Sequence, residues 1–137
     1  IMNKQSNGNV YFGFAISDSM FEGDVRIERR VLDAEGVKKL IARGVISCCN
    51  VSHQATITAM SVRFGIEIEI PETPPHVTLK NGDSLVILGV RGLPRMVNRH
   101  EYTDEEIAQA TFSFSRYIVG YDFEELRAEF GGPGWSA

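Results

Sequence analysis

VISCCNVSHQATITAMSVRFG, residues 45–65, is the stretch on which the fold turns. It opens with Val, Ile, Ser and two Cys, a composition that suits a short strand (45–49) covered on both faces. Asn50-Val51-Ser52 reads as a tight turn. Ser52 is a suitable helix N-cap, because its hydroxyl can accept a bond from an unpaired first-turn N–H. A helix of about three turns follows, with Ile57, Met60, Ser61 and Phe64 at helical spacing on one core-facing side, and Gly65 is its stop. A strand running straight into a helix N-terminus gathers free N–H groups and the positive end of the helix dipole at one point, which suits a phosphate. His53 falls in that first turn. The same features also describe an ordinary strand-to-helix junction carrying a surface histidine, and both readings stand at this point.

Upstream, residues 1–9 are polar and are expected to fray. The aromatic run 10–16 (VYFGFAI) reads as a first strand, with Gly13 marking a bulge or a close backbone approach. Residues 25–31 alternate Val25, Ile27 and Arg29 against Arg26, Glu28 and Arg30, a half-exposed strand whose Arg residues pair most simply with Glu22, Asp24 and Glu28. Asp33 can cap a helix over 34–43, with Val37, Leu40 and Ile41 on one face and Gly44 as its stop.

Downstream, IEIEI (66–70) alternates as a strand with one apolar face, and Pro71, Pro74 and Pro75 then force an extended loop. Residues 77–79 read as a short strand entering an Asn81-Gly82 turn. SLVILGV (84–90) is the most apolar segment and the expected central strand. Thr103 and Glu106 form a capping box for a short helix over 104–110. Residues 111–119 alternate Phe112, Phe114, Arg116 and Ile118 against Ser113, Ser115, Tyr117 and Val119, a last strand with an aromatic row. A final amphipathic helix is expected over 122–130, with 131–137 as a flexible tail.

About six strands and four helices in mixed order predict one α/β domain over 1–137, a mixed sheet of five to six strands flanked by helices. The chain has 137 residues, 43% hydrophobic and 23% charged, enough for one continuous core and too few for two. No apolar run approaches the ~20 residues of a membrane span and no charged-then-apolar leader precedes the fold, so a cytoplasmic location is expected. The net charge of −4 argues against non-specific binding to long nucleic acid but leaves a small anionic ligand open. Cys48 and Cys49 are adjacent, point to opposite faces of a strand, and read as two small buried hydrophobes rather than a disulfide or metal site. No GxGxxG, P-loop or CxxC is present, and no ligand cluster suggests a metal or cofactor.

The basic loop 91–102 (RGLPRMVNRHEY) carries the strongest local functional signal. Arg91, Arg95 and Arg99 fall within nine residues, followed by His100, with no acid before Glu101. Such a loop leaving a buried strand concentrates positive field at a sheet end, and Arg suits bidentate phosphate recognition. Asn98 suits a base edge, and an aromatic among Phe12, Phe14, Phe112 and Phe114 could stack on a purine, although each Phe taken singly suits the core better. A catalytic reading also exists. Metal-free cleavage of an RNA-type phosphodiester needs an oriented 2′-OH, an anion clamp and a proton for the leaving oxygen, for which His53 is the candidate acid.

Residues 45–119 resemble the viral ring-nuclease family, anti-CRISPR enzymes of archaeal viruses and phages that degrade cyclic tetra-adenylate. The matching features are S-x-x-x-x-S-H-Q-A-T entering a helix, F-G-I-E-I-E-I, V-T-L-K-N-G-D-S-L-V-I-L, Leu93-Pro94, and T-D-E-E-I before the last strand. The resemblance implies His53 as a catalytic acid, with an Arg just before the Leu-Pro pair and a Glu just after it. Here Ser52 stands for the family's Gly, Gly92 precedes Leu93 with the Arg displaced to Arg91, and Arg95 stands for the Glu. These departures point toward binding without cleavage. In size, N-terminal extension and general pattern the chain is also similar to the phage anti-Thoeris sponges, which implies binding of glycocyclic ADP-ribose or cyclic di- or trinucleotides at subunit interfaces. The expectation is therefore a homo-oligomeric sponge with Ser52, His53, Arg91, Arg95, Asn98, Arg99, His100, Phe112, Phe114 and Arg116 on the ligand. The alternative is a metal-independent ring nuclease using His53.

Overall fold

The computed structural model describes residues 8–121; residues 1–7 and 122–137, including the expected last helix, lie outside the described residues. Five strands, β1 (Val10–Gly13), β2 (Arg26–Leu32), β3 (Ile46–Ser47), β4 (Ser84–Arg91) and β5 (Thr111–Gly120), form one mixed sheet in the order β2-β5-β4-β1-β3. β1 runs parallel to both β3 and β4, while β5 is antiparallel to β4 and β2. The α/β class with a mixed sheet agrees with the sequence expectation, and the most apolar segment does become the central strand.

Helices α1 (Ala34–Arg43) and α2 (Gln54–Phe64) both cover one face of the sheet, and a short α3 (Asp104–Gln109) precedes β5. On that face Val37 and Leu40 of α1 and Ile57 and Met60 of α2 pack against Phe12, Val86, Leu88 and Phe114. Alternate residues of the same strands, Leu85 and Val119, form a second core on the other face with Val77 and Leu79. The adjacent cysteines divide between these two cores, Cys49 in the first and Cys48 beside the second, and both are free thiols.

Local chemistry accounts for most boundaries. Asp33 accepts from the Gly36 N–H at 2.8 Å and starts α1. Thr103 and Glu106 satisfy each other's backbone N–H groups at the start of α3, as the capping-box spacing requires. Gly65 ends α2 at φ 72°, in the left-handed region that favours glycine.

Two expected strands are not strands. Residues 66–70 run extended, with Ile66 buried and Ile68 and Ile70 packed against the first core. Their alternation reflects one apolar side pressed on the core, and the three prolines that follow supply no N–H for a ladder. Residues 77–79 likewise bury Val77 and Leu79, with a backbone bond from Leu79 N–H to Met20 O at 2.7 Å in place of a ladder. The first strand ends at Gly13, short of the expected 16, and the expected 45–49 strand pairs only over Ile46–Ser47. β2 is an edge strand and is more exposed than expected; of the anticipated ion pairs Arg30–Glu28 forms at 2.6 Å, while Glu22 pairs instead with Lys80 at 2.7 Å.

Candidate functional site

Parallel pairing brings the carboxyl ends of β1, β3 and β4 to one end of the sheet, the place where open α/β sheets bind ligands. Phe14 follows β1, the turn before α2 follows β3, and the basic loop follows β4. The turn Val51–His53 is a single 3₁₀ turn leading into α2, and its cap is Asn50. Asn50 Oδ1 accepts from the Ser52 N–H at 2.9 Å and also from the Ser52 hydroxyl. The assignment of Ser52 as the cap is thereby corrected: its hydroxyl donates to the true cap. Asn50, two residues earlier, has the right side chain and the right extended backbone.

His53 completes that cap. Its Nδ1 accepts from the Asn50 N–H at 3.2 Å, and its ring lies on Phe14, centroids 4.0 Å apart and planes 8° from parallel. Burial pushes its pKa below the ordinary 6.5. The imidazole is therefore neutral at neutral pH and carries its proton on Nε2, because Nδ1 faces a donor. That makes it a hydrogen-bond donor to a ligand. As an acid it would need a second proton on the nitrogen that faces the Asn50 N–H.

The loop after β4 folds over this turn. Together they line an open pocket of about 270 Å³ in which Ser52 and Gln54 face Met96, Arg99 and His100. Arg99 is held by a two-pronged pair to Glu106, both bonds at 2.7 Å, and its guanidinium lies 5.9 Å from the Tyr102 ring centroid. The Arg99 guanidinium and the cap N–H hold the Glu106 carboxyl down to about 2. The loop is thus less acid-free than its sequence suggested, since α3 brings the acid in from seven residues away. Arg91 and Arg95 are exposed and have no hydrogen-bond or ion-pair partner among the described residues, which leaves them as the loop's uncommitted cations. Asn98 is exposed at φ 59°, a left-handed position that Asn tolerates, so its first role is to turn the chain.

Of the expected site residues Ser52, Arg99 and His100 line the pocket; His53, Arg91, Arg95 and Asn98 belong to the same turn and loop without lining it, and Phe112, Phe114 and Arg116 lie elsewhere. Phe114 is 3% exposed and Phe12 fully buried, both in the first core, and neither can stack on a ligand. Phe112 is half-buried and meets Phe64 edge-on at 5.4 Å, so the aromatic row packs against α2. The alternation that suggested a stacking row is the core face of β5. Arg116 pairs in register with Val86, towards the other end of β4 from Arg91, and donates from Nε to Ser84 Oγ at 2.9 Å.

Two contributors take roles that the sequence does not announce. Phe14, one of the candidate stacking aromatics, lies just past the end of β1 and its ring stacks on His53. Arg63 of α2 donates to the carbonyls of Ile107 and Ala110 at 2.9 and 3.0 Å, tying the end of α3 to α2. Since α3 holds Glu106 and Glu106 holds Arg99, Arg63 is a positioning residue for the loop.

No protein-family model and no curated protein sequence matches the chain. A solved structure does. The chain is similar to B116 of Sulfolobus turreted icosahedral virus, with a TM-score of 0.60 at 21% identity, covering 83% of this chain and all (100%) of the other. At that identity the likeness is one of fold. The described residues contain no cluster of His, Cys, Asp and Glu able to hold a metal ion, and no helix long and apolar enough to cross a membrane.

Proposed function

We propose that this chain is a viral anti-defence protein that binds and sequesters a cyclic nucleotide messenger in the host cytoplasm. The favoured ligand is glycocyclic ADP-ribose of TIR signalling, with cyclic di- or trinucleotides as further ligands. The observation that carries the reading is the pocket between the α2 entry turn and the basic loop, where Ser52, Gln54, Arg99 and His100 converge. Exposed Arg91 and Arg95 add positive charge to the same loop, and the sequence resemblance to viral cyclic-nucleotide proteins points the same way. The fold likeness to B116 of Sulfolobus turreted icosahedral virus is consistent with a viral setting.

Binding is favoured over cleavage by His53. A neutral ring that caps its own turn suits holding a phosphate or base through Nε2–H, whereas a general acid must start protonated. The pocket of about 270 Å³ lies just below the ~300–1,000 Å³ typical of small-molecule sites, so a ring-shaped dinucleotide is best shared between two copies about a symmetry axis.

The test is to incubate the protein with glycocyclic ADP-ribose and a panel of cyclic di-, tri- and tetranucleotides, denature it by heat, and analyse the solution by mass spectrometry. Depletion before heating with intact recovery afterwards is expected, and Arg95→Ala should weaken it without lowering the melting temperature. Linear products ending in a 2′,3′-cyclic phosphate would replace this reading with the metal-independent ring nuclease. No depletion of any ligand would overturn both.

A further inference from the structure

A second concentration of positive charge lies away from that pocket, on the helix-covered face where β5 passes the end of α1. Arg30 of β2 and Arg116 of β5 are directly opposed in the antiparallel register, a like-charge pairing that is unfavourable by itself. Arg43, in the last turn of α1, lines a small cavity with Arg116. Among the described residues one carboxylate answers these three guanidinium groups: Glu28, which pairs with Arg30 at 2.6 Å. The Arg116 guanidinium is partly buried, and burial followed by the charges of Arg30 and Arg43 lowers its pKa. Its Nε is anchored on the fully buried Ser84, which fixes the plane of the fork and leaves both Nη groups without a hydrogen-bond partner among the described residues.

The cavity beside them has a volume of about 140 Å³, and its rim includes Gly8, Gly44 and Gly82, which contribute no side chain. The N–H groups of Gly44 and Gly82 are committed to Ile41, Leu40 and Val119 carbonyls, and the charged donors on the lining are the guanidinium groups of Arg43 and Arg116. A cavity well under the ~300 Å³ of ordinary ligand pockets cannot enclose a nucleotide, but it admits one phosphoryl group. A planar fork with two free Nη donors is the geometry that phosphate oxygens take up in pairs.

We propose that Arg43 and Arg116 form a binding site for a phosphate dianion, either inorganic phosphate or the terminal phosphate of a small monoester, separate from the pocket at the α2 entry turn. The anion supplies the negative charge that the Arg30, Arg43 and Arg116 cluster otherwise lacks. This site explains why Arg116, which the sequence groups with the basic loop, is held at the other end of the sheet.

The experiment compares thermal unfolding and isothermal titration in sodium phosphate, adenosine 5′-monophosphate, adenosine and sodium chloride at matched ionic strength. The parent, Arg43→Gln, Arg116→Gln and Arg99→Ala proteins are measured side by side. Phosphate is expected to raise the parent's melting temperature where chloride and adenosine do not, and Arg43→Gln should weaken binding by about tenfold, the loss of one charge-assisted contact. Arg99→Ala should respond to phosphate as the parent does. If Arg116→Gln fails to fold, Arg43→Gln decides, because Arg43 is exposed at the end of α1. A response by adenosine 5′-monophosphate equal to that by phosphate identifies a monoester site, and a response to phosphate alone identifies an ion site. The proposal is overturned if phosphate acts no differently from chloride, if Arg43→Gln binds as the parent does, or if Arg99→Ala abolishes the response.

Discussion

Arg63 offers the most direct test of how the pocket is held together. Replacing it with Met keeps most of the aliphatic stem and removes two hydrogen bonds, to Ile107 O at 2.9 Å and Ala110 O at 3.0 Å. It also removes cation–π contacts to Phe64 and Phe112, whose centroids lie 5.4 and 5.6 Å from the guanidinium carbon. Charged hydrogen bonds are worth about 1.5–3 kcal/mol when desolvated, but Arg63 is exposed, so about 1 kcal/mol each is the appropriate figure. Adding about 0.5–1 kcal/mol for the ring contacts gives a loss of roughly 2–3 kcal/mol. For a domain of this size that corresponds to a fall in melting temperature of roughly 5–12 °C. Calorimetry of Arg63→Met against the parent reads the stability, and hydrogen exchange of Asp104–Gln109 and of the 92–103 loop reads where the structure loosens. Faster exchange is expected in both segments, with little change in β4. A melting temperature within about 2 °C of the parent would refute the claim that α3 depends on Arg63, and unchanged loop exchange would refute its coupling to the pocket.

Three further outcomes follow from the same geometry. His53 has a folded pKa below 6.5, so the unfolded chain takes up its proton first; the stability from the neutral ring is fully present above about pH 6.5 and declines as pH falls through the ordinary value toward the lowered one. Melting temperature should therefore drop between neutral pH and about pH 5.5, with a flatter profile in His53→Gln, and equal slopes would contradict the half-buried neutral cap. Phe114→Ala should cost about 3–5 kcal/mol and Phe112→Ala about 1–2 kcal/mol in denaturant unfolding, and a reversed order would return Phe114 to the surface. The Cys48 thiol is pushed up to about 11, chiefly by burial and then by neighbouring Cys49, so alkylation at about pH 8 should be much slower in the folded protein than in denaturant. Rapid labelling of the folded protein would show that this end of β3 opens.

Elements whose identity depends on neighbours in sequence were legible. Asp33 before α1, the Thr103–Glu106 box before α3 and Gly65 after α2 each place a cap or stop where backbone groups lack partners, and that need is local. The apolar run of β4 announced its central place because only a strand covered on both faces can bury Leu85, Val86 and Leu88 together. Residues 66–70 show where the pattern stops being sufficient. An alternation of Ile and Glu says that one side is buried, and says nothing of whether a sheet edge is available to pair with.

The site divided along the same line. The sequence by itself determined that a basic loop follows the central strand and that a capped turn carrying His53 opens α2, because both are contiguous runs of residues. Only the tertiary structure decided which of these groups meet: that Ser52 and Gln54 face Arg99 and His100, that Glu106 neutralises Arg99, and that Phe14 covers His53. It also separated Arg116 from the loop and set it beside Arg30 and Arg43. Strand register fixes that separation, since Ser84 and Arg91 stand at opposite ends of the eight-residue β4, and spacing along a chain carries no information about which strand will lie opposite.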